Sequence, residues 1–199
     1  MNLVHGITNI EQAELKQAKS GLSIADLKLT TKDGMNFATA FGDTAEELAG
    51  GQGLALVWHG RLTSRNYTKQ DGEQVWAMGI TIGSAKVVER RDDIPLFVEA
   101  RVSGDASPIT YEGRDGITKR TQVRWSHEKR NGQQESFLVL TDDTAGPTVA
   151  VGAPQYRSFA LDGVTVRTFY IPNALQSADV EDPLATGPQA VAELTGSPF

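Results

Sequence analysis

The sequence predicts an all-β protein with one short helix, and three observations support this fold class. Apolar and polar residues alternate with a period of two in many short segments, which is the pattern of half-buried strands. Asp-Gly and Asn-Gly pairs, which are typical of tight hairpins, separate several of these segments. The chain of 199 residues also contains 20 glycines and 8 prolines, which favours structure rich in turns.

Residues 1–91 are predicted to form strands and one helix in the order β-β-β-α-β-β. The helix is expected over residues 43–49, with Asp43 as its N-cap and Gly50-Gly51 as its end. A long fourth strand with a kink at Gly60 is followed by a hairpin turn at Asp71-Gly72. This is the element order of an oligonucleotide- and oligosaccharide-binding (OB) barrel. The predicted strands are residues 3–7, 22–29, 35–41, 54–67 and 75–82, and residues 85–88 close the segment.

Residues 92–172 are predicted to form a second β-rich domain, since no stretch among them has the pattern of an amphipathic helix. Their opening, a strand that ends at Gly104-Asp105 and then a turn, resembles the opening of the first segment. The pattern leaves open whether this domain is a second OB-like barrel. Residues 173–199 contain four acidic and no basic side chains, and we expect a flexible tail. The strands predicted in the second domain are residues 97–102, 118–125, 135–140, 148–151 and 164–170.

The distribution of charge shows that the net charge of −6 says little about the folded part of the chain. Residues 1–91 carry ten basic and ten acidic side chains, so their net charge is zero. The second segment has a net charge of −2 and the tail one of −4. The acidity therefore lies largely in the tail and does not argue against a polyanionic partner for residues 1–91.

The residues that would support catalysis are absent or scattered, and we therefore expect no enzymatic activity, metal or cofactor. The chain has no cysteine, which excludes disulfides and thiolate chemistry. His5, His59 and His127 do not have the spacing of a metal site, and no nucleophile-elbow, zinc-protease or phosphate-loop motif occurs. No apolar run approaches the roughly 18 residues of a membrane span. The first residues lack the pattern of a secretory signal, so we expect a cytoplasmic protein.

The first segment contains the residue types that bind single-stranded nucleic acid, which are aromatic faces for the bases and cations for the phosphates. The hairpin with Arg65, Tyr67 and Lys69 on one arm and Trp76 on the other is a candidate clamp. The alternative is that Trp76, like other aromatic residues of the strands, fills the barrel core. Composition leaves the two open for Phe37, Trp58 and Trp76. The aromatic residues and the cations among which they lie are Phe37, Phe41, Trp58, Tyr67 and Trp76 with Lys28, Lys32, Arg61, Arg65 and Lys69.

Two stretches resemble a known family. Residues 37–49, FATAFGDTAEELA, resemble the aFGxxAExxa stretch of bacterial single-stranded-DNA-binding proteins. Residues 53–72, GLALVWHGRLTSRNYTKQDG, are similar to that family's kGxxVxvxGrLxxrx[WY]xdxxG stretch. The resemblance covers most of residues 3–88. It implies an OB barrel that coats single-stranded DNA without sequence specificity during replication, recombination or repair.

The resemblance also implies which residues contact the strand. Phe41, Tyr67 and Trp76 lie where the family places aromatic residues that stack on bases or line the groove. Met35 stands where many members have a stacking tryptophan, which implies weaker stacking or a shifted path. The candidates for phosphate contacts are the basic residues Lys16, Lys28, Lys32, Arg61, Arg65 and Lys69.

The end of the chain resembles the family's tails, which finish in Pro-Phe and dock on replication and repair proteins. This chain ends in Pro198-Phe199, and we expect these residues to bind such partners. Family barrels assemble into tetramers, or into dimers when each chain has two barrels, so we expect a homo-oligomer. An extra domain such as residues 92–172 would suit a divergent bacterial member or a phage protein that acts in the host cytoplasm.

Two questions stay open from the sequence. The second segment again mixes cations and aromatic residues, so it is either a second strand-binding surface or an accessory barrel for subunit contacts or extra core. The whole chain is alternatively an OB-scaffold interaction or assembly module without strand binding, which the neutral first segment and Met35 favour. The cations and aromatic residues of the second segment are Tyr111, Arg120, Arg124, Trp125, Lys129, Arg130, Tyr156, Arg157, Phe159 and Arg167.

Overall fold

A computed structural model of the chain describes residues 1–32, 34–90, 93–113, 116–128, 132 and 134–176. These residues contain twelve strands in one continuous sheet and one short helix, so the predicted all-β class is confirmed. No helix of the described part is long and apolar enough to cross a membrane. Most of the predicted tail, including Pro198 and Phe199, lies outside the described residues.

The first barrel contains five strands and the helix. Its elements are β1 (Asn2–Gln17), β2 (Ser23–Thr31), β3 (Gly34–Phe41), α1 (Asp43–Ala49), β4 (Ala55–Thr68) and β5 (Gln74–Val88). Antiparallel ladders join β1 to β2, β2 to β3, β4 to β5 and β4 to β1, while β3 pairs with β5 in parallel. These ladders close the sheet into a barrel with the predicted OB order.

Alternation along the strands fills the first barrel with small and branched apolar side chains. On β3, for example, Ala38 and Ala40 are buried while the residues between them point outward. The helix covers the barrel with Ala45 and Leu48. The other fully buried residues of this core include Val4, Ile10, Leu27, Leu29, Leu56, Leu62 and Ile80.

Two glycines decide local details of this barrel. The predicted kink in β4 is a register shift between His59 and Gly60. A Cβ on Gly60 would lie 2.1 Å from the Thr81 carbonyl oxygen, so only glycine permits this approach of the strands. The predicted N-cap was wrong, because Asp43 is the first helical residue and Gly42, with a φ of 61°, is the N-cap. No side chain caps this helix, which ends at Gly50 as predicted.

The second segment forms seven strands: β6 (Phe97–Gly113), β7 (Gly116–Glu128), β8 (Gln134–Thr141), β9 (Gly146–Gly152), β10 (Gln155–Leu161), β11 (Val164–Tyr170) and β12 (Asn173–Gln176). Antiparallel ladders join β6 to β7, β7 to β8 and β10 to β11. The strands β8 and β11 pair in parallel, as β3 and β5 do, and β10 touches β6 at one residue pair. The second segment thus repeats the ladder order of an OB barrel, with strand β9 in the connection from β8 to β10, where the first barrel has its helix.

Three strands differ from the sequence-based expectation. Strand β6 extends to Gly113 instead of ending near residue 102, and β10 was not predicted. The predicted tail was wrong at its start, since Asn173–Gln176 form β12 and pair with β9. These backbone hydrogen bonds cover an edge that β9 would otherwise expose, which explains why a polar segment becomes a strand.

Two ladders join the barrels to each other. The antiparallel ladder between β1 and β6 runs from the pair Asn2 and Val102 to the pair Ile7 and Phe97. A short parallel ladder between β5 and β11 begins at the pair Val75 and Thr165. The sheet therefore continues from one barrel into the other at two separate places.

Candidate nucleic-acid interface

The outer surface of β2 and β3 carries exposed aromatic side chains. Phe37 is 65% exposed and Phe41 is 43% exposed, and both point away from the core on the same side of β3. Lys28 of β2 pairs directly with Phe37, so its side chain lies beside the ring. Met35, where the resemblance led us to expect a stacking tryptophan in many family members, is also exposed on this side. The arrangement offers apolar faces next to a cation, as a stacked base and its phosphate require.

Trp58 and Trp76 lie in other environments. Trp58 is in the core, and its indole nitrogen donates a hydrogen bond of 3.2 Å to the buried Thr8 hydroxyl. Trp76 is half-buried against the core and pairs with Asn66, whereas Tyr67 pairs with Val75. Paired residues of a ladder share a side, so Trp76 and Tyr67 point to opposite sides of the hairpin. Trp76 and Tyr67 therefore cannot contact the same DNA strand from the two arms of the hairpin, as the predicted clamp required.

Several of the predicted phosphate-binding cations already have acidic partners. Lys16 lies 3.0 Å from an Asp26 oxygen and 3.2 Å from a Glu14 oxygen, and the hydrogen bond that Lys16 donates to Asp26 is the main cause that raises the pKa of Lys16. Lys28 lies 2.8 Å from a Glu11 oxygen. Exposed ion pairs of this kind contribute only about 0–1 kcal/mol, so a phosphate competes with them at small cost. Arg61 and Lys32 are exposed, the first on β4 and the second in the turn after β2.

The tip of the β4–β5 hairpin contacts the second barrel. Arg167 donates a hydrogen bond of 3.1 Å from Nη1 to the Tyr67 hydroxyl, and Thr165 donates one to the Glu73 carboxylate. Glu73 also pairs with Lys69, and this contact, followed by that of Thr165, lowers the pKa of the Glu73 carboxyl. The tip of the hairpin that was the candidate clamp is therefore held against β11.

The aromatic residues of the second barrel are mostly occupied by one another or by arginines. Of the cations and aromatic residues that the sequence singled out in this segment, Lys129 and Arg130 lie outside the described residues. Tyr156 is 55% exposed. The guanidinium groups of Arg120 and Arg157 each lie 5.4 Å from the centroid of the Tyr170 ring. The stacked pairs are Tyr111 with Phe159, at 4.0 Å between centroids, and Trp125 with Phe137, at 5.1 Å.

The hydrogen bond from Tyr170 to Asp142 raises the pKa of the tyrosine hydroxyl, which remains a donor at neutral pH.

A cleft of about 510 Å³ lies between the hairpin tip and the turn from β10 to β11, with Tyr67, Trp76, Leu161 and Val166 in its walls. Among the described residues, no group of three or more His, Asp or Glu side chains could hold a metal ion.

The strand pattern contained a signal for one surface residue that the site prediction left out. Phe37 and Phe41 have the same parity on β3, and Phe41 was assigned to the binding surface, so strict alternation puts Phe37 there too. The contact between Tyr67 and Arg167 had no such signal, because the two residues are 100 positions apart.

Comparison with known proteins identifies the fold. No family model and no curated protein matches the chain. Among solved structures, a deletion mutant of the single-stranded DNA binding protein from Thermus aquaticus is 15% identical, with a TM-score of 0.64 over 92% of this chain and 98% of that one. The wild-type form of that protein is 16% identical, with a TM-score of 0.62 over 88% of this chain and 92% of that one. The chain therefore shares its fold with the Thermus aquaticus protein over 92% of its length.

Proposed function

We propose that this chain coats single-stranded DNA without sequence specificity, as a member of the single-stranded-DNA-binding proteins. The observation that carries the proposal is the outward-facing pair Phe37 and Phe41 beside Lys28 on the first barrel. Large apolar side chains at 65% and 43% exposure leave water only when a partner covers them. Flat rings next to a cation fit bases and their phosphates.

The chemistry of this surface explains the expected lack of sequence preference. Every base has a π face, so stacking on Phe37 and Phe41 distinguishes bases only weakly. The side chains around them on β2, β3 and β5, such as Lys28, Thr39 and Thr81, supply phosphate and sugar contacts more readily than a code for base edges. The fold shared with the Thermus aquaticus protein supports the same function.

A titration of the protein into a fluorescent dT oligonucleotide at several salt concentrations tests the proposal. We expect binding at low salt, a Kd that rises with salt, and much weaker binding of a duplex of equal length. Counterion release gives a log–log slope near 0.7 per phosphate contacted on a single strand. No binding of the oligonucleotide at low salt would contradict the proposal.

A pair of arginine variants sharpens this test. Arg61→Gln removes an exposed cation of β4 on the outer surface, and we expect the salt slope to fall by about 0.7. Arg101→Gln removes an exposed arginine of β6 that pairs with Glu99 at 2.8 Å, and we expect no change. Equal slopes for the two variants would place the phosphate path elsewhere.

An assembly module without strand binding is the second candidate, and the ion pairs of the surface favour it. Lys16, Lys28 and Lys69 all face carboxylates, and residues 1–91 have a net charge of zero. This candidate predicts no oligonucleotide binding at any salt concentration, together with a stable association between chains. The titration above separates the two functions directly.

We further propose a cytoplasmic protein of replication, recombination or repair that forms homo-oligomers and docks partners through Pro198 and Phe199. Two barrels in one chain make a dimer the first expectation, which light scattering measures. A chain truncated before Pro198 should bind DNA normally and lose its partners. A truncated chain that loses DNA affinity would contradict the docking assignment.

A further inference from the structure

We infer that the bound single-stranded DNA passes from the first barrel to the second over one shared surface, and that Arg167 contacts a DNA phosphate where the two barrels meet. The inference rests on the proposed function and adds a subsite to it. The surface is formed by β4, β5, β11 and β10 in that spatial order, and we call it the crossing surface.

Strand register puts the relevant side chains on one side of this four-stranded sheet. Arg65 of β4 pairs with Ala77 of β5, which pairs with Arg167 of β11, which pairs with Ser158 of β10. Paired residues in a ladder point to the same side. The hydrogen bond from Arg167 to the hydroxyl of Tyr67, which is two residues beyond Arg65 on β4, agrees with this register. The two arginines therefore lie on one side of the sheet across the junction of the barrels, with the small, buried Ala77 between them.

Two positive charges meet at the Tyr67 side chain. The guanidinium carbon of Arg65 lies 5.5 Å from the ring centroid, and Nη1 of Arg167 lies 3.1 Å from the hydroxyl oxygen. Within the described part of the chain, neither guanidinium lies within salt-bridge distance of a carboxylate, although the charge of Arg167 contributes to the lowered pKa of the nearby Glu73 carboxyl, with which a phosphate would compete. A guanidinium has five N–H donors, so the bond to Tyr67 leaves Arg167 able to hold a phosphate oxygen. Among the described residues of β10 and β11, the other cation is Arg157, which lies on the opposite side of β10.

The path beyond Arg167 is open and ends at an exposed aromatic ring. Ser158 and Ala160 of β10 are small and exposed, so they leave room for a strand along this side. Tyr156 follows on the same side of β10 and is 55% exposed, with its ring edge-on to Phe169 at 6.5 Å. A base that has passed Arg167 can stack on the free face of Tyr156.

The salt dependence of DNA affinity distinguishes a phosphate contact by Arg167 from a purely structural role of this residue. We would titrate dT of about 30 nucleotides, which matches two OB barrels at the upper site size. Arg167→Gln should lower the salt slope by about 0.7 relative to the wild type, and Arg167→Lys should restore most of the slope because it keeps the charge. Tyr156→Ala should weaken binding by at least about fivefold without changing the slope.

Two controls complete the experiment. Tyr67→Phe removes the hydrogen bond to Arg167 but keeps both guanidinium groups and the ring, so the salt slope should stay unchanged whatever happens to the affinity, since Tyr67 itself lies on the crossing surface. Arg157→Gln removes a cation on the opposite side of β10, beside Tyr170, and should also leave the slope unchanged.

The outcomes distinguish a failure of this inference from a failure of the proposed function on which it rests. If Tyr67→Phe lowers the slope as much as Arg167→Gln, then Arg167 only holds the hairpin and the inference is wrong. If the wild type binds and Arg167→Gln has the wild-type slope, the crossing surface is wrong while strand binding stands. If the wild type does not bind the oligonucleotide at low salt, the proposed function itself is overturned, and the inference with it.

Discussion

Phe37→Ala is the most informative single substitution, because the structure separates its effects on folding and on binding. The ring is 65% exposed, so only about a third of its surface is buried by the fold. A phenylalanine side chain buries about 200 Å² when fully covered, which leaves about 70 Å² here. At about 25 cal/mol per Å², the free energy of unfolding falls by at most about 2 kcal/mol. A domain of ordinary stability, about 5–15 kcal/mol, remains folded after this loss.

The effect of Phe37→Ala on DNA affinity should be large and independent of salt. Removing a stacking ring costs about 1–3 kcal/mol per base, which is about a 5- to 150-fold rise in Kd. Phenylalanine carries no charge, so the same factor applies at every salt concentration. The variant should therefore give a log–log plot parallel to that of the wild type and displaced from it.

Fluorescence anisotropy with a labelled dT oligonucleotide measures this displacement, and urea denaturation shows whether the variant is folded. Phe97→Ala is the matched control, since this ring on β6 is 38% exposed and lies edge-on to His5 at 5.8 Å, away from the candidate interface. A folded Phe37→Ala protein with wild-type affinity would refute the assigned stacking surface. Equal losses in the two variants would refute its location on β3.

Three further substitutions test the fold. Gly60→Ala should lower the free energy of unfolding by about 1–3 kcal/mol, seen as a lower urea midpoint, because its Cβ would meet the Thr81 oxygen at 2.1 Å. Trp58→Phe should cost about 1–3 kcal/mol by leaving the buried Thr8 hydroxyl without its donor, and adding Thr8→Val should recover part of this loss in the same assay. Glu73→Gln should lower the Tm at neutral pH, and the gap to the wild type should close as pH falls through the lowered pKa of Glu73, where its carboxylate is protonated. A gap that persists in acid would show that the charge of Glu73 does not stabilise the fold.

The first barrel was largely predictable because local signals decide its elements. Alternation over residues 35–41 set both the strand and its buried alanines, and Asp71-Gly72 set the hairpin. Gly60 marked the position where β4 bends. These signals act within a few residues, and a single sequence records them directly.

Strands without a regular pattern could not be predicted in the same way. Strand β10 has four consecutive exposed residues, Gln155 to Ser158, so it shows no alternation that would mark it. These residues form a strand because they make a ladder with β11 and one residue pair with β6. The end of the chain shows the same effect, since β12 exists only because β9 offers a free edge.

Whether the predicted cations pair with acidic side chains depends on strand register, which a single sequence does not show. A register shift between Ile10 and Gln12 makes Glu11 an extra residue on β1, and its carboxylate reaches Lys28. On β2, Asp26 lies opposite Glu14 and reaches Lys16. Lysines that looked available in the sequence are thus partly neutralised by neighbours across a ladder.

The contacts between the barrels bear on binding as well as on folding. Tyr67 with Arg167, Glu73 with Thr165, and the ladder of β5 with β11 fix the hairpin of one barrel on a strand of the other. Two binding surfaces held at a fixed distance do not lose the freedom that a flexible linker would lose when both engage one strand. Under the proposed function, a DNA strand bound on the first barrel meets the second at a high effective concentration, provided that it can follow the crossing surface. Under that proposal, the small exposed residues Ser158 and Ala160 of β10 leave the crossing surface open to the DNA strand.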